Sequence, residues 1–518
     1  MMTKENRRHN ENTFVTNVWH KLMNKAASCM ASMAVLALAV ASCHSGNASD
    51  DEGDAFNVAN EDTCMYSKEF YVGADLSYTN ELEDAGVKYT LEGDTIDLYQ
   101  TIHKFGGNLV RLRLWHNPTW GNYSKLDDVK RGARRIKEAG MDFMLDFHYS
   151  DTWTDQEKNI IPAAWTSIAN VTDALQDSVY NYTMSTLKDL NSEGLVPLVV
   201  QLGNELHHNM MVLNNSELAP LNHERNAKLL NSALRAVRDF NNKNNADVKT
   251  ALHVAMQDTE TLQWIEDMKK NGLKRFDILA ISYYPQWHTY GVEKLGKLSA
   301  NLYRKHGVQL LVAETGHVWT HSWNDNTMNV MDQGYMKNVD AVCPQLQKDF
   351  LLRVKHALRA NRGYGVLAWE PGWVSSNVPT RWGTGSTWEN VAFFDFKNEM
   401  LKHGGMDFLN DNNGKVTFLV DVPGAGADTK CYITGSFLDD GFDQWQILPM
   451  TRVDSTSTFT FTTYLSYSQS VEYYYLSDST WKGKENVPLR LRRYNGYRGY
   501  TLPYGKDRAV VKGVFSGM

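Results

Sequence analysis

The sequence predicts an α/β chain whose main body is a (β/α)8 TIM barrel, followed by a small C-terminal antiparallel β-sandwich, on three observations. From about Phe70 to Val374, eight short apolar or β-branched runs alternate with longer stretches of helical periodicity, the rhythm of βαβ units around a parallel sheet. Polar side chains gather at the C-terminal end of each run, the end at which parallel barrels assemble their sites. Beyond about Lys415 the helices give way to alternating strand patterns separated by turn residues.

The chain has 518 residues, more than one ordinary domain needs, so a barrel leaves room for one further module. Hydrophobic residues make up 42% and charged residues 22%, a globular composition with ample core. A net charge of −7 excludes nucleic acid as the expected partner, because phosphate binding needs clustered Lys and Arg that release counterions. An uncharged partner fits better. The 15 Trp and 25 Tyr supply flat rings that stack on sugars, with core packing as the alternative reading of any one ring.

Taken in order, Lys21 and Lys25 precede an apolar run from Met30 to Ala41, too short to span a bilayer but suited to a signal peptide, here residues 1–42. That run ends Val40-Ala41-Ser42-Cys43, which resembles a bacterial lipobox and implies lipidation of Cys43. Residues 43–66 are then a polar, acidic, Gly/Ser-rich tether that buries too little apolar surface to fold. In this reading the protein is an outer-membrane lipoprotein exposed at the cell surface, its only membrane contact the lipid, and a monomer. Of five Cys, Cys29 lies in the signal and Cys43 is the anchor site, leaving Cys64, Cys343 and Cys431, an odd trio too widely spaced for a disulfide framework or a zinc site.

Residues 67–405 hold the barrel. Its eight runs start at Phe70, Asn108, Asp142, Leu195, Val248, Phe276, Val308 and Tyr364. Their C-terminal ends carry Asp75, Arg113, His148, Asn204-Glu205, His253, Tyr283-Tyr284, Glu314 and Trp369. Helical patterns lie between them, such as Asp127–Ala139 and Glu224–Asn241. A single strand-end carboxylate or His is ordinarily solvated or caps a helix; recurrence on all eight runs argues for a shared site. Gly, Asn and Asp concentrate between Leu401 and Lys415, marking a boundary. VTFLVDV, KCYITGSF, TFTFTTYL and SVEYYYLS then form the sandwich, residues 414–518.

Cleaving a glycosidic bond requires one carboxylic acid to protonate the leaving oxygen and a second carboxylate across the sugar, at about 5 to 5.5 Å for direct attack with retention. Glu205, after Gln-Leu-Gly-Asn on the fourth run, and Glu314, after Leu-Leu-Val-Ala on the seventh, meet that need from opposite sides of the barrel mouth. Asn-Glu on strand four with Glu on strand seven resembles the clan A retaining glycosidases. More specifically, GADLSY (Gly73–Tyr78), GGNLVRLRLWHNP (Gly106–Pro118), LDFHYSDTW (Leu145–Trp153), QLGNE (Gln201–Glu205), SYYPQWH (Ser282–His288), AETG (Ala313–Gly316) and WEPGW (Trp369–Trp373) resemble glycoside hydrolase family 53 in the family's order. These are the arabinogalactan endo-β-1,4-galactanases.

The resemblance implies hydrolysis of β-1,4-galactan or galacto-oligosaccharides, with Glu205 as acid/base, Glu314 as nucleophile and no catalytic cofactor. It implies that Asn204 bonds the 2-hydroxyl of the sugar at the cleaved bond. Arg113 is the candidate to keep Glu314 ionised. Tyr283, preferred to Tyr284, would donate to the nucleophile, and Trp369 would floor the cleaved sugar's subsite. His148, Asp151, Trp153, His253 and Trp287 complete the expected substrate contacts. Two stretches depart from the family pattern. Thr154-Asp155-Gln156-Glu157 stands where Ala-Asp-Pro is usual, and Gly316-His317-Val318-Trp319 follows Glu314-Thr315 in place of a Tyr-Pro continuation. In bacterial members the latter loop region holds a structural calcium; Asp325, Asn324 and Asn326 are its oxygen-bearing candidates here, with a solvated loop as the alternative. The sandwich resembles starch-binding-like modules of family 20, which would place Trp445 and Trp481 on sugar. The competing readings are another clan A specificity, mannan or glucan, and a non-catalytic surface glycan-binding lipoprotein.

Overall fold

The computed structural model describes residues 69–331, 341–380, 383–493 and 495–517. The signal peptide, Cys43 and the tether expected at 1–66 lie outside these residues. Eight parallel strands close a barrel in chain order: β1 (Tyr71–Asp75), β2 (Leu109–Leu114), β3 (Asp142–Phe147), β4 (Val199–Leu202), β5 (Lys249–Val254), β6 (Ile278–Ser282), β7 (Gln309–Glu314) and β8 (Gly365–Trp369), the last pairing back to β1. Each falls within one of the eight apolar runs. Because both faces are covered, the strands read as nearly continuous apolar segments. Leu109, Met144, Val199, Ala251, Ile278, Ala280, Leu311, Ala313 and Leu367 plug the interior at the N-terminal end, so the barrel's floor is packed rather than open.

Among the described residues a short helix at Thr79–Asp84 and seven longer ones fill the crossovers: α1 (Leu98–Lys104), α2 (Leu126–Glu138), α3 (Thr172–Ser192), α4 (His223–Asn244), α5 (Asp258–Lys270), α6 (Val292–His306) and α7 (Pro344–Arg359). Local chemistry sets their ends. Asp97 accepts from the Gln100 N–H to start α1, Asn222 does the same for Arg225 in α4, and Asn245 ends α4 in a left-handed turn at φ 49°. Among the described residues β8 is followed by loops and a 3-10 turn, Gly405–Leu409, rather than by an eighth helix.

The sandwich comprises β9 (Asn413–Asp421), β10 (Tyr432–Gly435), β11 (Leu448–Pro449), β12 (Thr451–Arg452), β13 (Thr458–Ser466), β14 (Ser470–Leu476), β15 (Arg498–Thr501) and β16 (Arg508–Val514). These form two four-stranded sheets, ordered β12-β13-β9-β16 and β11-β10-β14-β15. Inward-facing Val416, Phe418, Val420, Ile433, Phe459, Leu465, Val471 and Tyr475 make the core between them. The expectation of a purely antiparallel sandwich needs one correction: β16 runs parallel to β9. It arrives by a crossover from the opposite sheet, and such a connection permits the parallel sense that a tight hairpin forbids. The sandwich docks on α7, where the buried Asp349 carboxylate accepts from the Tyr464 N–H at 2.8 Å and the Thr463 hydroxyl at 2.7 Å, and barrel and sandwich belong to one compact unit.

Candidate active site

A cleft of about 670 Å³ opens at the C-terminal ends of the barrel strands. Its wall includes Trp153, Asp155, Asn204, Glu205, Ser282, Tyr284, Trp287, Glu314, Trp369 and Trp388. Both glutamates therefore face the same space. Glu314 ends β7 and is 6% exposed, while Glu205 follows β4 in a left-handed turn, φ 46°, after Gly203 at φ 94°. Such a backbone is costly for a non-glycine residue and persists where the surroundings impose it, as at functional sites.

Beneath Glu314 lies one buried guanidinium. Arg111, on β2, donates through Nη1 to Glu314 Oε1 at 2.8 Å and Asp75 Oδ2 at 2.9 Å, through Nη2 to Asp146 Oδ2 at 2.9 Å and Asn204 Oδ1 at 2.8 Å, and through Nε to Gln201 Oε1 at 3.1 Å. Every donor direction of the planar fork is used, which an ammonium has no means to reproduce. Burial alone would raise Asp146, but Arg111 and then His148 hold it below the usual carboxylate range. Tyr284 donates its hydroxyl to Glu314 Oε2 at 3.4 Å.

Glu205 has different neighbours. Its Oε1 lies 2.8 Å from the Ser282 hydroxyl, and its Oε2 accepts from the Gln156 N–H at 3.3 Å. Burial raises the affinity of both Glu205 and Glu314 for a proton, and Arg111 opposes that rise at Glu314. The two carboxyls repel each other closely enough to titrate as a pair. Arg111 and Tyr284 both donate to Glu314, whereas among the described residues no cation hydrogen-bonds Glu205, so the shared proton belongs on Glu205.

Several expected contacts are corrected by the geometry. Arg113 does not reach Glu314; its guanidinium lies 4.6 to 4.8 Å from the ring centres of Tyr78, Trp115 and Trp153, and Arg111 takes the role assigned to it. Both arginines share one face of β2 because side chains repeat every second residue, and Arg111 sits one pleat deeper, level with the carboxylates. Tyr283 likewise yields to Tyr284. Ser282 points inward, so Tyr283 points outward and donates to the Tyr290 carbonyl at 2.9 Å, while Tyr284 returns to the cleft. Alternation along β6 sets this phase, since Ile278 and Ala280 face the interior, and a bulge opposite Ile281/Ser282 pairs Ser282 with Glu314.

His148, Asp151 and His253 do not line the cleft. His148 Nδ1 accepts from the Thr154 N–H at 3.1 Å and its Nε2 faces Asp146 at 3.0 Å. Asp151 braces loops through the N–H groups of Asn117 and Ala163. His253 is fully buried beneath Asn204 and Ser282. Asn204, Trp153, Trp287 and Trp369 do line it. Reasoning from sequence missed Arg111, Asp146, Gln201 and Ser282, although each interrupts an apolar strand at the inward phase, a signal that was readable.

The calcium candidates do not fit a cation. Asp325 accepts from the N–H groups of Thr327 at 2.8 Å, Ser386 at 2.6 Å and Ser376 at 3.4 Å, so its carboxylate ties loops together, and Asn324 and Asn326 are exposed. In the sandwich, Trp445 neighbours Trp481 and Tyr497 at centroid distances of 6.4 and 5.1 Å, and Trp481 is 47% exposed.

Residues 71–404 match the model of the family described as Glycosyl hydrolase family 53. An arabinogalactan endo-β-1,4-galactanase of Cellvibrio japonicus is 41% identical over 327 residues, covering 63% of this chain and 86% of the relative. Among solved structures, a GH53 catalytic domain of Ignisphaera aggregans aligns at TM-score 0.60 and 28% identity, covering 66% of this chain and 96% of that one. A structure from a study of two fungal β-1,4-galactanases aligns at TM-score 0.56 and 27% identity, covering 65% and 98%. The chain belongs to glycosyl hydrolase family 53.

Proposed function

We propose that the protein is a retaining endo-β-1,4-galactanase that hydrolyses the β-1,4-galactan side chains of pectic arabinogalactan, with Glu314 as nucleophile and Glu205 as acid/base. The observation that carries the assignment is the asymmetry of one shared cleft, in which Arg111 and Tyr284 donate to Glu314 while the donors on Glu205 are the Ser282 hydroxyl and the Gln156 N–H. Glu314 attacks the anomeric carbon as Glu205 protonates the departing glycosidic oxygen, giving a glycosyl-enzyme ester. Water, deprotonated by Glu205, then displaces Glu314 with the configuration retained. Asn204 Nδ2 spends one hydrogen on the Thr154 carbonyl at 2.8 Å and keeps the other for a sugar hydroxyl. The named activity of the Cellvibrio japonicus relative supports the substrate.

Purified protein should release galacto-oligosaccharides from potato galactan and leave mannan and carboxymethylcellulose intact; Glu314→Ala should bind galactan without turning it over. Hydrolysis of mannan or cellulose in its place would move the specificity, and wild-type turnover by Glu314→Ala would remove the nucleophile assignment. The reading extends to the rest of the chain: a surface lipoprotein anchored at Cys43, whose sandwich binds glycan through Trp445 and Trp481. Palmitate labelling that survives Cys43→Ala would refute the anchor. Galactan retention unchanged in Trp445→Ala/Trp481→Ala full-length protein would refute the binding role.

A further inference from the structure

Behind the acid/base, the buried polar groups pose a counting problem. Ser282 Oγ lies 2.8 Å from Glu205 Oε1 and 3.1 Å from His253 Nε2, yet the hydroxyl has one hydrogen to give. The tautomer of His253 decides where it goes. Asn204 Oδ1 accepts from Arg111 and from Gln201, and Asn204 Nδ2 donates to the Thr154 carbonyl, so the orientation of that amide is fixed. His253 Nδ1, 2.7 Å from Oδ1, must therefore carry a hydrogen; the Glu205 N–H, 3.3 Å from Nδ1, is the longer contact at that atom. Burial, and then Arg111, keep the imidazole uncharged, which leaves Nε2 a bare lone pair in a fully buried ring. The shorter contact at Nδ1 selects one arrangement: Glu205 Oε1–H donates to Ser282, Ser282 donates to His253 Nε2, and His253 Nδ1–H donates to Asn204, with the longer Glu205 N–H contact given up.

We propose that Ser282 is a hydroxyl rotor and His253 its seat, together holding Glu205 in its protonated form between turnovers and re-orienting when Glu205 has given its proton away. In the first half-reaction the Glu205 proton passes to the glycosidic oxygen as the C–O bond breaks and the Glu314–carbon bond forms. The Ser282 hydroxyl then turns from His253 Nε2 to the new Glu205 carboxylate. In the second half-reaction water gives its hydroxide to the anomeric carbon and its proton to Glu205, the ester to Glu314 breaks, and the hydroxyl turns back. The proton that departs with the leaving group is replaced from water, while Ser282 and His253 keep their own hydrogens throughout. His253 and Ser282 are positioning residues: His253 lies beneath the cleft, and its link to the Glu205 carboxyl runs through Ser282. The other groups that face the pair are Asp155 from the loop after β3, Arg111 from β2, Asp146 from β3 with His148 just beyond it, Tyr284 just beyond β6, Glu314 from β7 and His207 beyond Glu205. All of these remain in the variants below.

The inference rests on Glu205 being the acid/base, and the two are separable. Loss of the basic limb of the kcat/KM profile in Glu205→Gln tests that assignment, whereas the limb's position in His253→Phe tests the rotor. Phe keeps the ring volume and removes the lone pair that rewards the protonated state. The basic limb should move down by about 0.5 to 1 pH unit, the worth of one neutral hydrogen bond. In a Ser282→Ala background the same substitution should move it by less than about 0.3 unit, because the coupling runs through the hydroxyl. An unmoved limb in His253→Phe, or an equal shift with and without Ser282, would overturn the rotor. Should His253→Phe fail to fold, nitrogen-15 NMR of His253 in the wild-type protein serves: the Nδ1–H tautomer supports the proposal, and the Nε2–H tautomer or an imidazolium overturns it.

Discussion

Arg111→Lys keeps the positive charge beneath the cleft and removes the fork. The guanidinium makes five hydrogen bonds, to Gln201, Asp75, Glu314, Asp146 and Asn204. An ammonium has three donors, so at least two acceptors lose a partner in a site that water does not reach. A hydrogen bond to a charged group contributes about 1.5–3 kcal/mol, so losing the one that holds Glu314 lowers kcat/KM by about 10- to 150-fold. Global stability falls as well, by up to the roughly 3–5 kcal/mol that breaking a buried ion pair costs. The pH dependence has a definite sign. Without the fork Glu314 binds its proton more tightly, the reaction needs its anion, and activity is therefore lost at a higher pH on acidification. The assay is kcat/KM on galactan across pH, alongside a urea midpoint. Arg113→Lys is the control, because that side chain lies against Tyr78, Trp115 and Trp153 and should alter stability without moving the acid limb. An Arg111→Lys enzyme within twofold of wild type with an unmoved acid limb, or an acid limb moved by Arg113→Lys, would refute the reasoning.

Three further outcomes follow from the geometry. Tyr284→Phe should reduce kcat by about tenfold through loss of the hydroxyl on Glu314 Oε2, while Tyr283→Phe, which breaks a bond to the Tyr290 carbonyl, should change thermal stability and leave kcat near wild type; the reverse pattern would restore the rejected assignment. Burial raises the Glu205–Glu314 pair above the ordinary carboxylate range, so the shared proton stabilises the fold fully below the unfolded glutamate value of about 4.5 and that contribution disappears as the pH rises through the raised range. Glu205→Gln, uncharged throughout, should therefore gain stability relative to wild type between pH 5 and pH 8 in denaturant titrations; a constant difference would contradict the shift. In Gly73→Ala the added Cβ would lie 1.7 Å from the Leu109 carbonyl oxygen, across the β1–β2 contact that helps close the barrel. Overpacking of that severity should cost more than about 3 kcal/mol, read as loss of soluble protein or a collapsed urea midpoint.

What the sequence determined by itself was the periodicity and what periodicity implies. Eight apolar runs separated by helical stretches specify a barrel because strands buried on both faces need such runs, and Asn204-Glu205 and Glu314 fall at strand ends because that is where the chain leaves the core. The family motifs identified the residue types the chemistry uses. Tertiary structure alone decided which inward residue sits at which height. Arg111 and Arg113 have the same phase on β2, and only the closed barrel sets Arg111 beside Asp75, its register partner on β1, with its guanidinium in reach of Asp146 and Glu314. The bulge at Ile281/Ser282 is equally silent in the sequence, yet it sets Glu314 opposite Ser282, where regular pairing would have set Ala313. One-dimensional patterns encode which face a side chain takes; the depth it reaches, and so its partners and its proton, depends on how the closed barrel aligns strands far apart in the chain.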